Sequence, residues 1–77
     1  MKFYFDGEKI CTSKAHNYTH AIVYPAKPGA GKKWQLQSRH SSLTLAQTAL
    51  ANTRRGLNLY NPEKAAALRL VELEARP

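Results

Sequence analysis

The order of apolar and polar positions divides the chain into a strand-like first half and a helix-like second half. Phe3 and Phe5 alternate with Lys2 and Tyr4, run into Asp6-Gly7 and are followed by Ile10. Successive strand side chains point to opposite faces, and Asp-Gly readily takes the positive φ angles of a type I′ turn, so this segment predicts a tight β-hairpin. In that register Phe5 faces Glu8 and Phe3 faces Ile10. Phe3, Phe5 and Ile10 then share the core side, and Lys2, Tyr4, Lys9 and Cys11 the other. A polar connection, Ser13 to Asn17, leads to a run from Tyr18 to Tyr24 that is rich in strand-favouring residues. Both of its alternating sets are partly apolar, which leaves its buried face open. Pro25 to Gly31 holds two prolines and two glycines and reads as a loop. Trp34 and Leu36 then alternate with Lys33, Gln35, Gln37 and Arg39, a strand with one apolar and one polar, basic face.

From Ser42 onward the period lengthens from two towards 3.6. Thr44 followed by Gln47 fits a capping box, in which the hydroxyl accepts from an orphan helical amide and the Gln reaches back. Ala46, Ala49, Leu50, Thr53 and Leu57 form an inward stripe, while Gln47, Asn52, Arg54 and Arg55 fall towards solvent. Gly56 offers a left-handed stop, with Arg54 and Arg55 complementing the negative helix end. Asn61-Pro62-Glu63 supplies a second start, predicting a helix to about Ala75 that packs through Ala66, Ala67, Leu70 and Leu73. No internal repeat or domain boundary interrupts this order. The expected architecture is a single α+β domain over residues 1–77, an antiparallel three- to four-stranded sheet followed by two helices, the first packed on the sheet.

Length narrows the functional classes. A 77-residue chain buries only roughly 60% of its unfolded surface, too little to enclose a large cofactor or a deep substrate cleft as well. A binding protein is expected rather than an enzyme, with no cofactor. The single cysteine, Cys11, excludes an intramolecular disulfide and fits a reducing compartment. No run approaches the roughly 20 apolar residues of a membrane span, and Met1 to Asp6 has no hydrophobic signal segment, so a cytoplasmic location is expected.

Charge adds the main functional clue. Twelve Lys or Arg stand against five Asp or Glu, a formal net charge of +7. Residues 1–60 hold nine of those cations against Asp6 and Glu8, whereas the remaining segment balances three with three. Lys27, Lys32 and Lys33 crowd one Gly-containing loop, where long cationic stems can reach a phosphate backbone without competing with core packing. If Gln35, Gln37 and Arg39 project from one strand face, they offer the donors and acceptors that β-ribbon readers present to base edges. The predicted nucleic-acid-binding set is Lys27, Lys32, Lys33, Gln35, Gln37, Arg39, Arg54 and Arg55. A basic surface equally suits a protein or other anionic partner, or solubility alone.

Other residue groupings suggest chemistry that their context does not support. His16 and His20 lie four apart, which would converge on a metal from a helix, but the surrounding residues favour strand or turn geometry. No metal site is expected. His40-Ser41-Ser42 places a base beside hydroxyls that already have a role at the helix entrance, and Pro28 to Lys33 lacks phosphate-loop spacing. No catalytic residue is assigned.

Two resemblances extend this reading. The segment Tyr18 to Arg55, carried by Tyr24, the Pro25 to Lys33 turn, Trp34 to Arg39 and Leu45-Ala46-Gln47-Thr48-Ala49, resembles the arm-type DNA-binding domains of phage-type integrases over about half the chain. That resemblance implies a sheet inserted into the DNA major groove and braced by a helix, with Lys32, Lys33, Gln35, Gln37 and Arg39 on the groove-facing strand. Thr12 to Tyr18 and Ala21 to Tyr24 are similar to a small phage anti-CRISPR family, which implies a non-catalytic inhibitor that covers a nucleic-acid-binding surface of a host complex. Both imply a phage or mobile-element origin. The expected partner is thus nucleic acid, DNA ahead of RNA, or alternatively a host protein complex anchored by Tyr4, Tyr18 and Tyr24.

Overall fold

The computed structural model describes residues 1–77 as six strands and two helices: β1 (Lys2–Phe5), β2 (Glu8–Thr12), β3 (His20–Pro25), β4 (Trp34–His40), α1 (Leu43–Tyr60), α2 (Pro62–Ala67), β5 (Arg69–Glu72) and β6 (Glu74–Arg76). The strands form two antiparallel three-stranded sheets, ordered β2-β1-β6 and β4-β3-β5. β5 and β6 are one extended run interrupted only at Leu73, so this segment crosses from one sheet to the other and completes both. The Leu73 amide donates to the Thr19 carbonyl at 2.8 Å across the crossing.

The α+β class agrees with the sequence, but the C-terminal strands replace most of the expected second helix. That helix ends at Ala67, and Leu68 already has an extended backbone (φ −63°, ψ 140°). The responsible pattern is Val71-Glu72-Leu73-Glu74-Ala75, whose alternation buries Val71 and Leu73 and exposes both glutamates. Leu70 and Leu73 are also three apart, so the same residues satisfy a helical spacing. The open edges of β1 and β3, which gain a full ladder of backbone hydrogen bonds, decide between the two. The packing residues move accordingly: Ala65 and Leu68 are buried, while Ala66 is exposed.

The core lies mostly between the sheets, where Phe3 and Cys11 meet Ala21, Val23, Val71 and Leu73, with Phe5, Ile10, Tyr18, Trp34 and Leu36 packed around them. On the opposite face of β3, Ile22 lies beneath the helices, whose Ala46 and Ala65 are also buried. β3 is therefore covered on both faces. This is why Ala21, Ile22 and Val23 are all fully buried, and why alternation did not single out one buried face.

Two bulges set the register. Asp6 (φ 54°) and Gly7 (φ 75°) form the expected turn, and Phe5 pairs with Glu8. Beyond them Tyr4 pairs with Lys9 but Phe3 pairs with Cys11, leaving Ile10 as an extra residue. Cys11 thus joins Phe3 in the core instead of facing outward with Lys9. On β4 the same device leaves Gln37 unmatched, since Ile22 pairs with Ser38 and Val23 with Leu36.

Helix α1 buries the expected stripe, with Ala46 fully covered and Ala49, Leu50, Thr53 and Leu57 half-buried. Its cap is Ser42 rather than Thr44: the Ser42 hydroxyl accepts from the Leu45 amide at 3.2 Å. Gly56 does not stop it. The inward Leu57 carries the helix on to Tyr60, and Asn61 serves both helices, donating its amide to the Leu57 carbonyl and accepting from the Lys64 amide at 3.1 Å through Oδ1. Gly56 is exposed, has no positive φ, and a Cβ there meets nothing within 4 Å. Gly56→Ala is expected to raise stability by about 0.5–1 kcal/mol, read as a higher urea midpoint at unchanged slope.

Candidate nucleic-acid interface

The two hairpins meet at one end of the molecule. β1 runs towards the Asp6-Gly7 turn and β3 towards the loop after Pro25, and a single side chain joins them. The Glu8 carboxylate accepts the Lys33 amide at 2.8 Å through Oε2 and the Trp34 amide at 3.1 Å through Oε1. This fixes the base of the basic loop against β2. The loop is closed by the Ala26 amide on the Lys33 carbonyl (2.9 Å) and turned by the Ala30 amide on the Lys27 carbonyl (3.1 Å), with Gly29 and Gly31 at positive φ. Trp34 packs edge-to-face on Phe5, centroids 5.6 Å apart, and its buried Nε1 has no hydrogen-bond partner.

Lys27, Lys32 and Lys33 are all exposed at this end, together with Lys9 from the neighbouring hairpin. The only side-chain ion pair in the molecule is Glu74–Arg76 at 3.0 Å, so no hairpin lysine is neutralised at salt-bridge distance. Glu8, the nearest carboxylate in sequence to Lys9, is engaged by backbone amides instead. Sequence reasoning missed both Lys9 and Glu8. No local pattern signals a contact between residues 25 and 26 positions apart.

The remaining predicted residues do not form one surface. Cross-strand partners share a face, and Gln35 pairs with Tyr24 while Arg39 pairs with Ala21, three positions back along β3. Gln35 therefore lies on the helix side of the sheet and Arg39 on the other, with the bulged Gln37 between them. The expectation that all three project from one strand face is corrected by that extra residue. Arg39 lies 4.9 Å from the Tyr18 ring centroid. Arg54 donates to the Leu68 carbonyl at 3.2 Å and so braces the exit from α2, while Arg55 is exposed. With α1 extended to Tyr60, neither arginine lies in its last turn.

The three tyrosines considered as protein anchors are occupied within the fold. Arg76 lies over Tyr4 at 4.3 Å, Arg39 over Tyr18 and Lys64 over Tyr24 at 4.4 Å. The Arg76 guanidinium also hydrogen-bonds Glu74, which holds that carboxyl below its usual pKa and raises that of Arg76. His20 and His40 are cross-strand partners. His40 bonds the Ser38 hydroxyl at 2.8 Å through Nε2, and partial burial lowers its pKa below the ordinary 6.5. No group of three or more His, Cys, Asp or Glu side chains gathers to hold a metal ion, and no helix is long and apolar enough to cross a membrane.

Comparison with known proteins returns no relative: no protein-family model, no curated protein and no solved structure matches this chain.

Proposed function

We propose that this chain is a non-enzymatic nucleic-acid-binding protein that grips the phosphate backbone with the cationic end formed by its two hairpins. The observation carrying the reading is the Glu8 clamp, which joins the hairpins so that Lys9, Lys27, Lys32 and Lys33 share one end. Clustered ammonium groups without carboxylate partners attract phosphates, and each neutralised phosphate releases condensed counterions.

Labelled duplex DNA is expected to bind at low ionic strength, with log affinity falling against log salt by roughly 0.9 per phosphate contacted. Replacing Lys27, Lys32 and Lys33 together by Ala is expected to make that slope shallower by roughly three, with an unchanged circular dichroism spectrum. Absence of binding at low salt, or an unaltered slope in the triple variant, would sink the reading.

A second reading, an inhibitor or adaptor covering a host protein complex, draws on Leu59 and Tyr60, which are 77% and 87% exposed at the end of α1. Capture of such a partner that survives nuclease and high salt supports it over the first.

A further inference from the structure

We infer that the outward face of α1 is a reading head for the major groove of duplex DNA, a role that the bulge in β4 denies to the sheet. The inference rests on the nucleic-acid reading above and adds the element that touches base edges.

The buried stripe of α1 determines what lies opposite. At about 100° per residue, Thr44, Thr48, Arg55 and Leu59 lie across from Ala46 and Leu57, flanked within about 50° by Ala51 and Asn52, and all six are exposed. From Thr44 to Arg55 this face runs about 16 Å along the axis, the rise of some four to five base pairs.

Its chemistry is unusual for a face whose only task is solvation. Such faces ordinarily mix Glu with Lys, yet the 18 residues of α1 include no carboxylate, and their only charges are Arg54 and Arg55. Thr and Asn are also weaker helix formers than the Lys, Glu or Gln that would dissolve the face equally well. The residues present do match what a groove displays. Arg spans guanine O6 and N7, Asn spans adenine N6 and N7, and Thr or Ala methyls pack on the thymine methyl. The absence of negative charge removes the repulsion that phosphates on both groove walls would otherwise impose.

The flanks suit the same occupant. Arg54 is held by the Leu68 carbonyl, one residue before Arg69, which pairs with Val23 near the loop end of β3. The C-terminal part of α1 therefore lies towards the lysine-bearing end. A helix in the groove would have phosphate-gripping cations beyond its C-terminal end. The B-form groove, about 12 Å wide, admits a helix, whereas the deep, narrow major groove of A-form RNA does not. The partner is therefore DNA.

The test is selection from a pool of randomised DNA duplexes, followed by affinity measurement on the enriched site and on a random duplex. The expected result is a motif of about four or five base pairs. Asn52→Ala should weaken binding to that motif about tenfold while leaving the random duplex within twofold, because Asn carries no charge. Arg55→Lys, which keeps the charge and loses the planar fork, should do the same. Salt-dependent binding with no enriched motif, or equal loss on both duplexes in Asn52→Ala, overturns the reading head and leaves the phosphate grip standing. Failure to bind any duplex at low salt overturns both.

Discussion

Phe3→Ala is expected to unfold most of the population at 37 °C. Phe3 is fully buried, packs edge-to-face on Tyr18 with centroids 5.6 Å apart, and belongs to the sheet-to-sheet core with Cys11, Val23 and Leu73. Truncating such a ring removes its transfer free energy and leaves a cavity, together about 3–5 kcal/mol. In a chain this short a single core rarely supplies more than about 3–5 kcal/mol of net stability. The layer beneath the helices cannot compensate, because β1 is the middle strand that holds β2 and β6 together. Thermal unfolding followed by circular dichroism checks this, and a midpoint within a few degrees of the parent contradicts it. Phe3→Leu, which refills much of the space, should recover a cooperative transition at lower temperature.

Glu8→Ala is expected to lower stability by about 1–3 kcal/mol and to loosen the basic loop. The substitution removes two charge-assisted hydrogen bonds and leaves the half-buried Trp34 amide without its acceptor. Amide exchange should accelerate at Lys33 and Trp34 more than at β3 positions. DNA affinity should fall although no cation has been removed and the net charge has risen by one. Glu8→Gln retains an amide oxygen and should restore part of the protection. Stronger DNA binding by Glu8→Ala would show that charge outweighs the clamp.

These two residues also mark what the sequence could disclose. Phe3 was legible as core because alternation next to an Asp-Gly turn reports local geometry, and the α1 stripe was legible because its helical period is sustained from Ala46 to Leu57. Register was not, since a bulge adds a residue without altering local composition. One extra position at Ile10 moved Cys11 into the core, and another at Gln37 separated Gln35 from Arg39. The final strands were hidden because Leu70, Val71 and Leu73 satisfy both periods, and only the open edges of β1 and β3 choose between them. Of the predicted interface, the lysine cluster was visible as a run around two glycines. Its partner Lys9 and its anchor Glu8 arrive through a tertiary contact that no spacing encodes.

The crossing strand also governs when this protein can become a protein. Phe3 pairs with Ala75 and Ala21 with Val71, so both sheets wait for residues 69–76. Partners so distant in sequence make for slow folding, because a long loop must close before the contacts reward it. On a ribosome, the open edges of β1 and β3 would remain exposed throughout synthesis of the two helices, a template for pairing with neighbouring chains. Yield from cells should therefore depend more on temperature and chaperone supply during translation than on the stability of the finished fold.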